Sequence, residues 1–497
     1  MVYLLGADFG GGSCKVTLLS SDGKCIYSKG HEYHSYCPKP LYIEQDPEEI
    51  YQAFTETVKS LLAGQHVSGT DIAAVCLDGG THIAVLLDEK DTVLRRAIYW
   101  SDGRSTKEAG ELKKTHGTMI AERVFNMPTA TWTLPQLQWL KKNEPEIFSK
   151  IRKIRFLKDY IRFRLTGDYI TDSIEAMGSM LEDARIDRWD SELCSMASLD
   201  PAMMPLIVKP TETVGMIQKK ACSETGLSPQ TKVIAGATDT AMELFASGAV
   251  HEGDSTIKLA TAGRICVVSK RPVIDPCLYT YKHVVDGMWY PGTGTKTCAA
   301  SLRWFRDNLS CNPDDPRAYQ IIDAQASRIP AGSDGVYFHP YLQGELTPYQ
   351  DNKLRASFTG MTSSATYGHL CRAVLEGVAY SLYDCIGVLE QLNLRPKSVM
   401  RLIGGGSRSS LWAQIVCDVL GVPLVKIDTD DSSIGSAMLA GVAVGIFKSC
   451  EEAVQTVTKQ GKTYEPDGHN HQVYQNYFEG YKQITLALQK VYREINR

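Results

Sequence analysis

Two stretches of this 497-residue chain share one pattern, and together they restrict the fold more than any other feature. Residues 3–19 bring an apolar run to Asp8, turn through Gly10, Gly11 and Gly12 into Ser13, and leave through Lys15 into a second apolar run. Residues 255–268, beginning Ser255-Thr-Ile-Lys-Leu and turning through Ala260, Thr261, Ala262 and Gly263, repeat the scheme of strand, small-residue turn and strand. An echo this far along the chain points to a duplicated α/β fold rather than a solenoid. Two related lobes, expected over 1–248 and 249–497, would leave a cleft in which ligands bind and about which the lobes hinge.

The segments between fit that scheme. Ile72–Leu77 and Ile83–Leu87 are short apolar runs separated by Asp78-Gly-Gly-Thr. Pro47–Leu62 has helical spacing and follows Asp46, a good N-cap. Leu134–Leu140 is a further helix, residues 210–232 are polar and proline-bearing, and the last 30 residues read as an amphipathic terminal helix. With 43% hydrophobic residues, 22% charged residues and a net charge of −4, nothing favours nucleic acid or an anionic membrane as partner. No 18-residue apolar run is present, and the opening Met1-Val-Tyr-Leu-Leu-Gly-Ala-Asp8 lacks a basic n-region, so neither a membrane span nor a signal peptide is expected. The 14 cysteines include no C-x-x-C pair, which fits a reducing cytoplasm.

Five segments carry candidate chemistry. The glycine turn after Asp8 lets backbone N–H groups approach an anion, and a carboxylate beside it can hold magnesium; alone it is equally an ordinary glycine-rich hairpin. Val233-Ile-Ala-Gly-Ala-Thr-Asp239 runs from a strand into a helix, where an Asp also serves as a plain cap. Trp100-Ser-Asp-Gly-Arg104 sets an aromatic ring, a carboxylate and a guanidinium in one loop, suited to a polyhydroxylated ligand and equally to a local salt bridge. Thr81-His82 follows a turn that projects toward the same region, although a lone histidine is more often structural. Gly404-Gly-Gly-Ser407, between a strand and a helix, gives a flat backbone against which a nucleotide can lie; it is neither a P-loop nor a dinucleotide fingerprint. The small residues of Ser432–Gly441 permit close helix packing near that nucleotide.

The order of these segments resembles the FGGY carbohydrate kinases, most specifically in Ala356-Ser-Phe-Thr-Gly-Met, then seven residues, then His369-Leu-Cys-Arg-Ala-Val-Leu-Glu376-Gly. Further landmarks are Glu44-Gln-Asp-Pro47, Asp159–Gly167 and Tyr341–Pro348. The resemblance implies the duplicated actin-like (ribonuclease H-like) ATPase fold and ATP-dependent phosphorylation of a small sugar or polyol. It implies that Asp8 helps hold magnesium, with Asp239 beside it, and that Asp239 is the general base. Gly10, Gly11, Gly12, Ser13, Lys15, Thr261 and Gly263 would face the phosphates, and Gly404, Gly405, Gly406 and Ser407 the nucleotide. Thr81, His82, Trp100, Asp102, Arg104 and Asp239 would meet the sugar. Within the family the pattern is closest to the xylulokinases, which makes a ketopentose such as D-xylulose the leading substrate; ribulose, fuculose, glycerol, erythritol and gluconate-like acceptors are the alternatives. A homodimer is compatible with the family.

Four departures stand out. Gly11 and Gly12 replace a Thr and a Thr or Ser, Ala260-Thr261-Ala262 replaces Gly-Thr-Ser, Gln136 replaces a lysine, and Gly80-Thr81 stands where xylulokinases carry Gln-Met. The loss of loop hydroxyls raises a second reading, an actin-like nucleotide-binding sensor without transfer activity.

Overall fold

A computed structural model describes residues 1–310 and 312–495. It divides into two compact units. The first comprises Met1–Val250, Thr280–Trp289 and Thr429–Thr458; the second comprises His251–Tyr279, Tyr290–Asp428 and the chain from Lys459.

In the first unit a six-stranded sheet runs in the order Thr213–Met216, Lys232–Thr238, Ile72–Gly79, Tyr3–Phe9, Ser13–Ser20, Cys25–Glu32. Tyr3–Phe9 pairs antiparallel with Ser13–Ser20 and parallel with Ile72–Gly79, which pairs parallel with Lys232–Thr238. These three parallel strands are almost wholly buried, as expected when helices cover both faces of a sheet. The helix Pro47–Gly64 packs near one edge of the sheet. Asp46 caps it by accepting from Glu48 N–H at 3.0 Å, and Ile50, Phe54, Val58 and Leu61 form its buried stripe.

The small-residue helix, Ser432–Ala443, packs against Tyr3–Phe9 rather than acting only as a neighbour of a nucleotide loop. A Cβ on Gly6 would lie 1.9 Å from Ser433 O, and one on Gly435 would lie 2.2 Å from Met242 O. Thr17 Oγ1 and Ser433 Oγ are hydrogen-bonded at 2.6 Å. The small side chains let helix and strand backbones meet.

The Asp159–Gly167 landmark is a buried brace. Arg162, fully enclosed, donates to Asp159 at 2.8 Å and to Ala235 O at 2.6 Å, and pairs with Asp168 at 3.2 Å. It thereby ties the helix Leu157–Thr166 to the strand that leads to Asp239. Lys158 pairs with Asp159 and Asp172, each at 2.6 Å.

The second unit repeats the motif. Ser255–Leu259 pairs antiparallel with Gly263–Val267 and parallel with Met400–Ile403; the sheet continues through Leu424–Ile427 to Gln460–Tyr464. In the helix Tyr367–Gln391 the signature Glu376 is buried and accepts from Arg372 Nε at 2.8 Å, Gly332 N at 3.0 Å, Ser333 Oγ at 2.7 Å and Tyr474 Oη at 3.0 Å. The last bond fastens the terminal helix Gly468–Ile495, whose Tyr474, Phe478 and Tyr481 are buried. Gly377 is required because a Cβ there would lie 2.0 Å from Phe338 O.

The sequence expectations for Ile72–Leu77, Ile83–Leu87, Pro47–Leu62 and Leu134–Leu140 all meet an element of the expected type. The proline-bearing 210–232 segment adds an edge strand, Thr213–Met216, and a short helix, Lys219–Thr225. Among the described residues no helix is long and apolar enough to cross a membrane, and every cysteine is a free thiol.

Candidate active site

The three parallel strands of the first unit end together, and each end delivers a carboxylate. Asp8 and Asp78 are register partners, Ala237 lies opposite Asp78, and Asp239 follows on the first turn of the helix Asp239–Ala246. Carboxyl ends of parallel strands are where α/β sheets bind ligands. Asp8 Oδ1 and Asp78 Oδ1 are enclosed without a donor from another residue. Burial, then the charges of Asp239 and Asp431, push the Asp8 carboxyl up to about 7. Burial and the Asp8 charge push the Asp78 carboxyl well above the usual carboxylate range; Ser436 Oγ donates to its Oδ2 at 2.5 Å. The two carboxyls act on each other in opposite senses, Asp78 lowering Asp8 and Asp8 raising Asp78. Asp239 is not the helix cap, since Thr238 occupies that position; its Oδ1 accepts from Thr240 N at 2.5 Å and Thr240 Oγ1 at 3.2 Å.

The glycine turn is held carbonyl-inward. Gly10 O accepts from Tyr33 Oη at 2.5 Å, Gly11 O from Ser35 Oγ and from Gln45 Nε2 at 3.1 Å, and Gly12 O from Tyr33 N at 3.0 Å. No hydrogen bond among the described residues uses the N–H of Gly11 or Gly12, and Gly11, Gly12 and Ser13 are exposed. With the carbonyls drawn back, the turn offers amide donors to an anion. Lys15 forms an ion pair with Asp431, the cap of the helix Ser432–Ala443, so its charge already has a partner.

Thr81 and His82 sit beside this cluster in sequence and present two enclosed polar atoms, Thr81 Oγ1 and His82 Nδ1, that have no partner. His82 has a left-handed backbone, with φ of 53°. Its ring stacks on Trp132 at 4.9 Å, and burial holds it neutral by pulling its pKa down to about 3. Its N–H donates to Glu175, and its carbonyl accepts from Thr133 Oγ1 at 2.7 Å. Trp100 is 40% exposed, and its ring lies over Gly80, where a Cβ would be 3.3 Å from Cδ1.

Asp102 and Arg104 are spent on each other. Arg104 Nε and Nη2 donate to Asp102 at 2.9 and 2.8 Å, and the backbone N–H groups of Arg104 and Ile43 donate at 2.8 and 2.6 Å. Both side chains are buried, and Arg104 also pairs with Glu44 at 2.9 Å. Arg104 lines a 610 Å³ cavity with Tyr42, Glu44, Arg95, Trp139 and Glu144; Asp8, Asp78 and Asp239 are not among its walls.

The second unit has its own two loops. Ala260 O accepts from Ala299 N at 2.7 Å and Thr261 O from Cys298 N at 2.9 Å, which again leaves the tip, Thr261 and Ala262, exposed. Gly263 N–H donates to Thr295 Oγ1 at 3.0 Å, and a Cβ there would lie 2.9 Å from Leu382 Cδ2. Gly404, with φ of 88°, and Gly406 are tight against Leu259, whereas Gly405 has nothing within 4 Å of a built Cβ. Ser407 is buried, and the triplet leads into a 3₁₀ turn, Gly405–Arg408, before the helix Ser410–Leu420 that Ser409 caps.

Sequence reasoning missed Asp78, Asp431 and Ser436. Asp78 had a signal: an apolar run ending in Asp then Gly, as at Asp8. The other two are brought in by tertiary packing alone.

Residues 3–246 match the N-terminal domain model, and residues 257–444 the C-terminal domain model, of the FGGY family of carbohydrate kinases. The chain is 30% identical over 487 residues to the xylulose kinase of Bacillus subtilis, covering 97% of each. It superposes on ligand-bound xylulose kinase from Lactobacillus acidophilus with a TM-score of 0.93 at 27% identity, covering 100% of each chain. Gluconate kinase from the same organism gives 0.92 at 27% identity, covering 99% of each.

Proposed function

The chain belongs to the FGGY family of carbohydrate kinases, which phosphorylate sugars with ATP, and on that premise we propose that its acceptor is a ketopentose such as D-xylulose. The observations that carry the reading are Asp8 Oδ1, enclosed without a partner and facing the charge of Asp239, and the enclosed, unpartnered Thr81 Oγ1 and His82 Nδ1 that follow Asp78 in the chain. Buried polar atoms without partners mark places where a ligand supplies the missing bond. Thr81 Oγ1 and neutral His82 suit sugar hydroxyls, and the exposed Trp100 face suits the apolar side of a small sugar.

In the proposed reaction a sugar hydroxyl attacks the terminal phosphorus of ATP in line, and the bond to the departing ADP oxygen breaks. The hydroxyl proton passes to Asp239, a contribution of about 10²- to 10⁴-fold. The exposed amides of Gly11 and Gly12 donate to phosphoryl oxygens. In this reading Asp102 and Arg104 shape the loop beneath Trp100 and do not bond the sugar directly. Gly405 meets the nucleotide through bare backbone.

Asp8, with one enclosed oxygen and the neighbouring Asp239, fits a magnesium ion. When bound, that ion would neutralise phosphate charge and draw the Asp8 carboxyl toward its ionised form. The free thiols fit a reducing cytoplasm; a homodimer is the assembly to examine by light scattering.

The test is ADP release from ATP over a panel of ketopentoses, polyols and gluconate, with magnesium and with chelator. Turnover highest on D-xylulose and abolished by chelator is expected. Preference for gluconate would transfer the assignment to that acceptor, and ATP binding without turnover on any member would restore the sensor reading.

A further inference from the structure

We propose that the hydroxyl of Tyr99 donates a hydrogen bond to the terminal phosphoryl group of ATP, filling the role left open by the absence of a hydroxyl side chain at position 11. This rests on the kinase reading above and adds a catalytic residue to it.

Ser35–Tyr36, Glu44–Gln45 and Ala97–Ile98 form a small three-stranded sheet. Two of the strands, and the residue that follows the third, send side chains to the glycine turn. Ser35 Oγ and Gln45 Nε2 hold Gly11 O from behind. Tyr99, one residue past Ile98, approaches the same glycine from the side-chain direction: a Cβ built on Gly11 would lie 2.9 Å from Tyr99 Oη and 3.6 Å from Cζ. Position 11 and the Tyr99 hydroxyl therefore compete for one volume. Glycine at 11 is what lets Tyr99 enter it.

The backbone that carries the phenol is held firmly. Tyr99 N donates to Ile43 O at 2.9 Å, and its carbonyl accepts from Asp102 N at 3.0 Å and Gln136 Nε2 at 3.5 Å. The buried Asp102–Arg104 pair fixes that turn, and the Trp100 ring packs 5.6 Å away. Burial, then the charges of Asp239 and Asp8, hold the phenol acidity well below normal strength, so the group remains an O–H donor. It lies next to the turn whose Gly11 amide is open to an anion. A phosphoryl oxygen there meets an amide and a phenol together.

The experiment is a reciprocal cycle measured on whichever sugar the enzyme turns over. Tyr99→Phe should lower kcat about 10- to 100-fold, the worth of a hydrogen bond to a charged group. The KM for sugar and the affinity for ADP should hold, while affinity for a non-hydrolysable ATP analogue falls. Gly11→Ser alone should also lose turnover, because its Cβ meets the Tyr99 hydroxyl. Combined with Tyr99→Phe, the new Cβ stands at 3.6 Å from the ring carbon, an ordinary contact, and the serine returns a hydroxyl; turnover should recover to at least tenfold above either single variant. Tyr99→Phe within twofold of the parent on a sugar the parent phosphorylates, or a double variant no better than the worse single, would overturn the assignment and leave the kinase reading intact. Failure of the parent on every sugar counts against the kinase reading; the ATP-analogue and ADP affinities then still decide whether Tyr99 contacts the terminal phosphate.

Discussion

Replacing Asp239 with Asn separates chemistry from stability, because the structure gives the two effects different sizes. As the proposed base, the carboxylate contributes about 10²- to 10⁴-fold to turnover. At 1.36 kcal/mol per decade that is about 3–5 kcal/mol of transition-state stabilisation. The folded state loses far less. An Asn oxygen still accepts from Thr240 N, which lies 2.5 Å from Asp239 Oδ1. Loss of negative charge on the first turn of Asp239–Ala246 costs about 0.3–1 kcal/mol. Against that, Asp8 is freed from the largest neighbouring charge that opposes its ionisation. The net stability change should stay within about 1 kcal/mol. The assay is ADP release under saturating sugar and ATP, alongside calorimetric binding of both ligands and urea unfolding. Turnover should collapse while both ligands bind within about threefold of the parent, consistent with a group that acts mainly in the transition state. Turnover within tenfold of the parent would remove Asp239 as base. A collapse accompanied by several kcal/mol of lost stability would show instead that the residue holds the fold.

Other substitutions test other links. Gly405→Ala adds a Cβ into empty space, so unfolding should be unchanged while KM for ATP rises about tenfold; an unchanged KM would remove this loop from the nucleotide site. Arg162→Met should cost about 3–5 kcal/mol in urea unfolding, because it removes the buried cation shared by Asp159 and Asp168, leaves Asp159 to Lys158 alone and frees Ala235 O; a loss under 1 kcal/mol would refute the brace. Unfolded His82 takes up a proton below about 6.5, whereas in the fold it stays neutral to about 3. Its contribution to stability is therefore full above 6.5 and declines as pH falls, by about 2 kcal/mol between 6.5 and 5. His82→Asn should remove that much of the acid sensitivity of unfolding, and identical pH profiles for the two proteins would contradict the burial argument.

The parts of the fold legible in the sequence were those with local causes. Asp46 before Pro47 and the Ile50–Phe54–Val58–Leu61 stripe announce a helix by capping and spacing, and the duplicated turns announce their strands by glycine and apolar runs. The edge strand Thr213–Met216 did not announce itself, because half-exposed residues carry little alternation. At the site, Asp8 and Asp239 were visible from strand-end position. Asp102 and Arg104 were visible as a pair, with a sugar contact and a local salt bridge equally open; burial and the bonds between them decide for the salt bridge. Lys15 was legible as a charge beside the glycine turn, and its partner Asp431, far along the chain, was not. Long-range pairing leaves no local periodicity to read.

The duplicated turns show why chemistry diverged while geometry held. Burial along 1–12 and along 251–262 runs in the same order, so Asp8 and Lys258 occupy equivalent places in their strands. One copy thus presents a carboxylate and the other an ammonium from the same scaffold position. Both turns keep their carbonyls engaged and their tips exposed, but with different donors. In the first, the side chains of Tyr33, Ser35 and Gln45 hold Gly10 and Gly11. In the second, the amides that open the helix Ala299–Leu309 hold Ala260 and Thr261. What the two copies share is therefore an orientation of backbone, which does not depend on hydroxyl side chains at the tips. That accounts for a kinase whose first turn contains glycine at 11 and 12: the amides remain in place, and a hydroxyl need only come from a neighbouring strand, which is the position Tyr99 occupies.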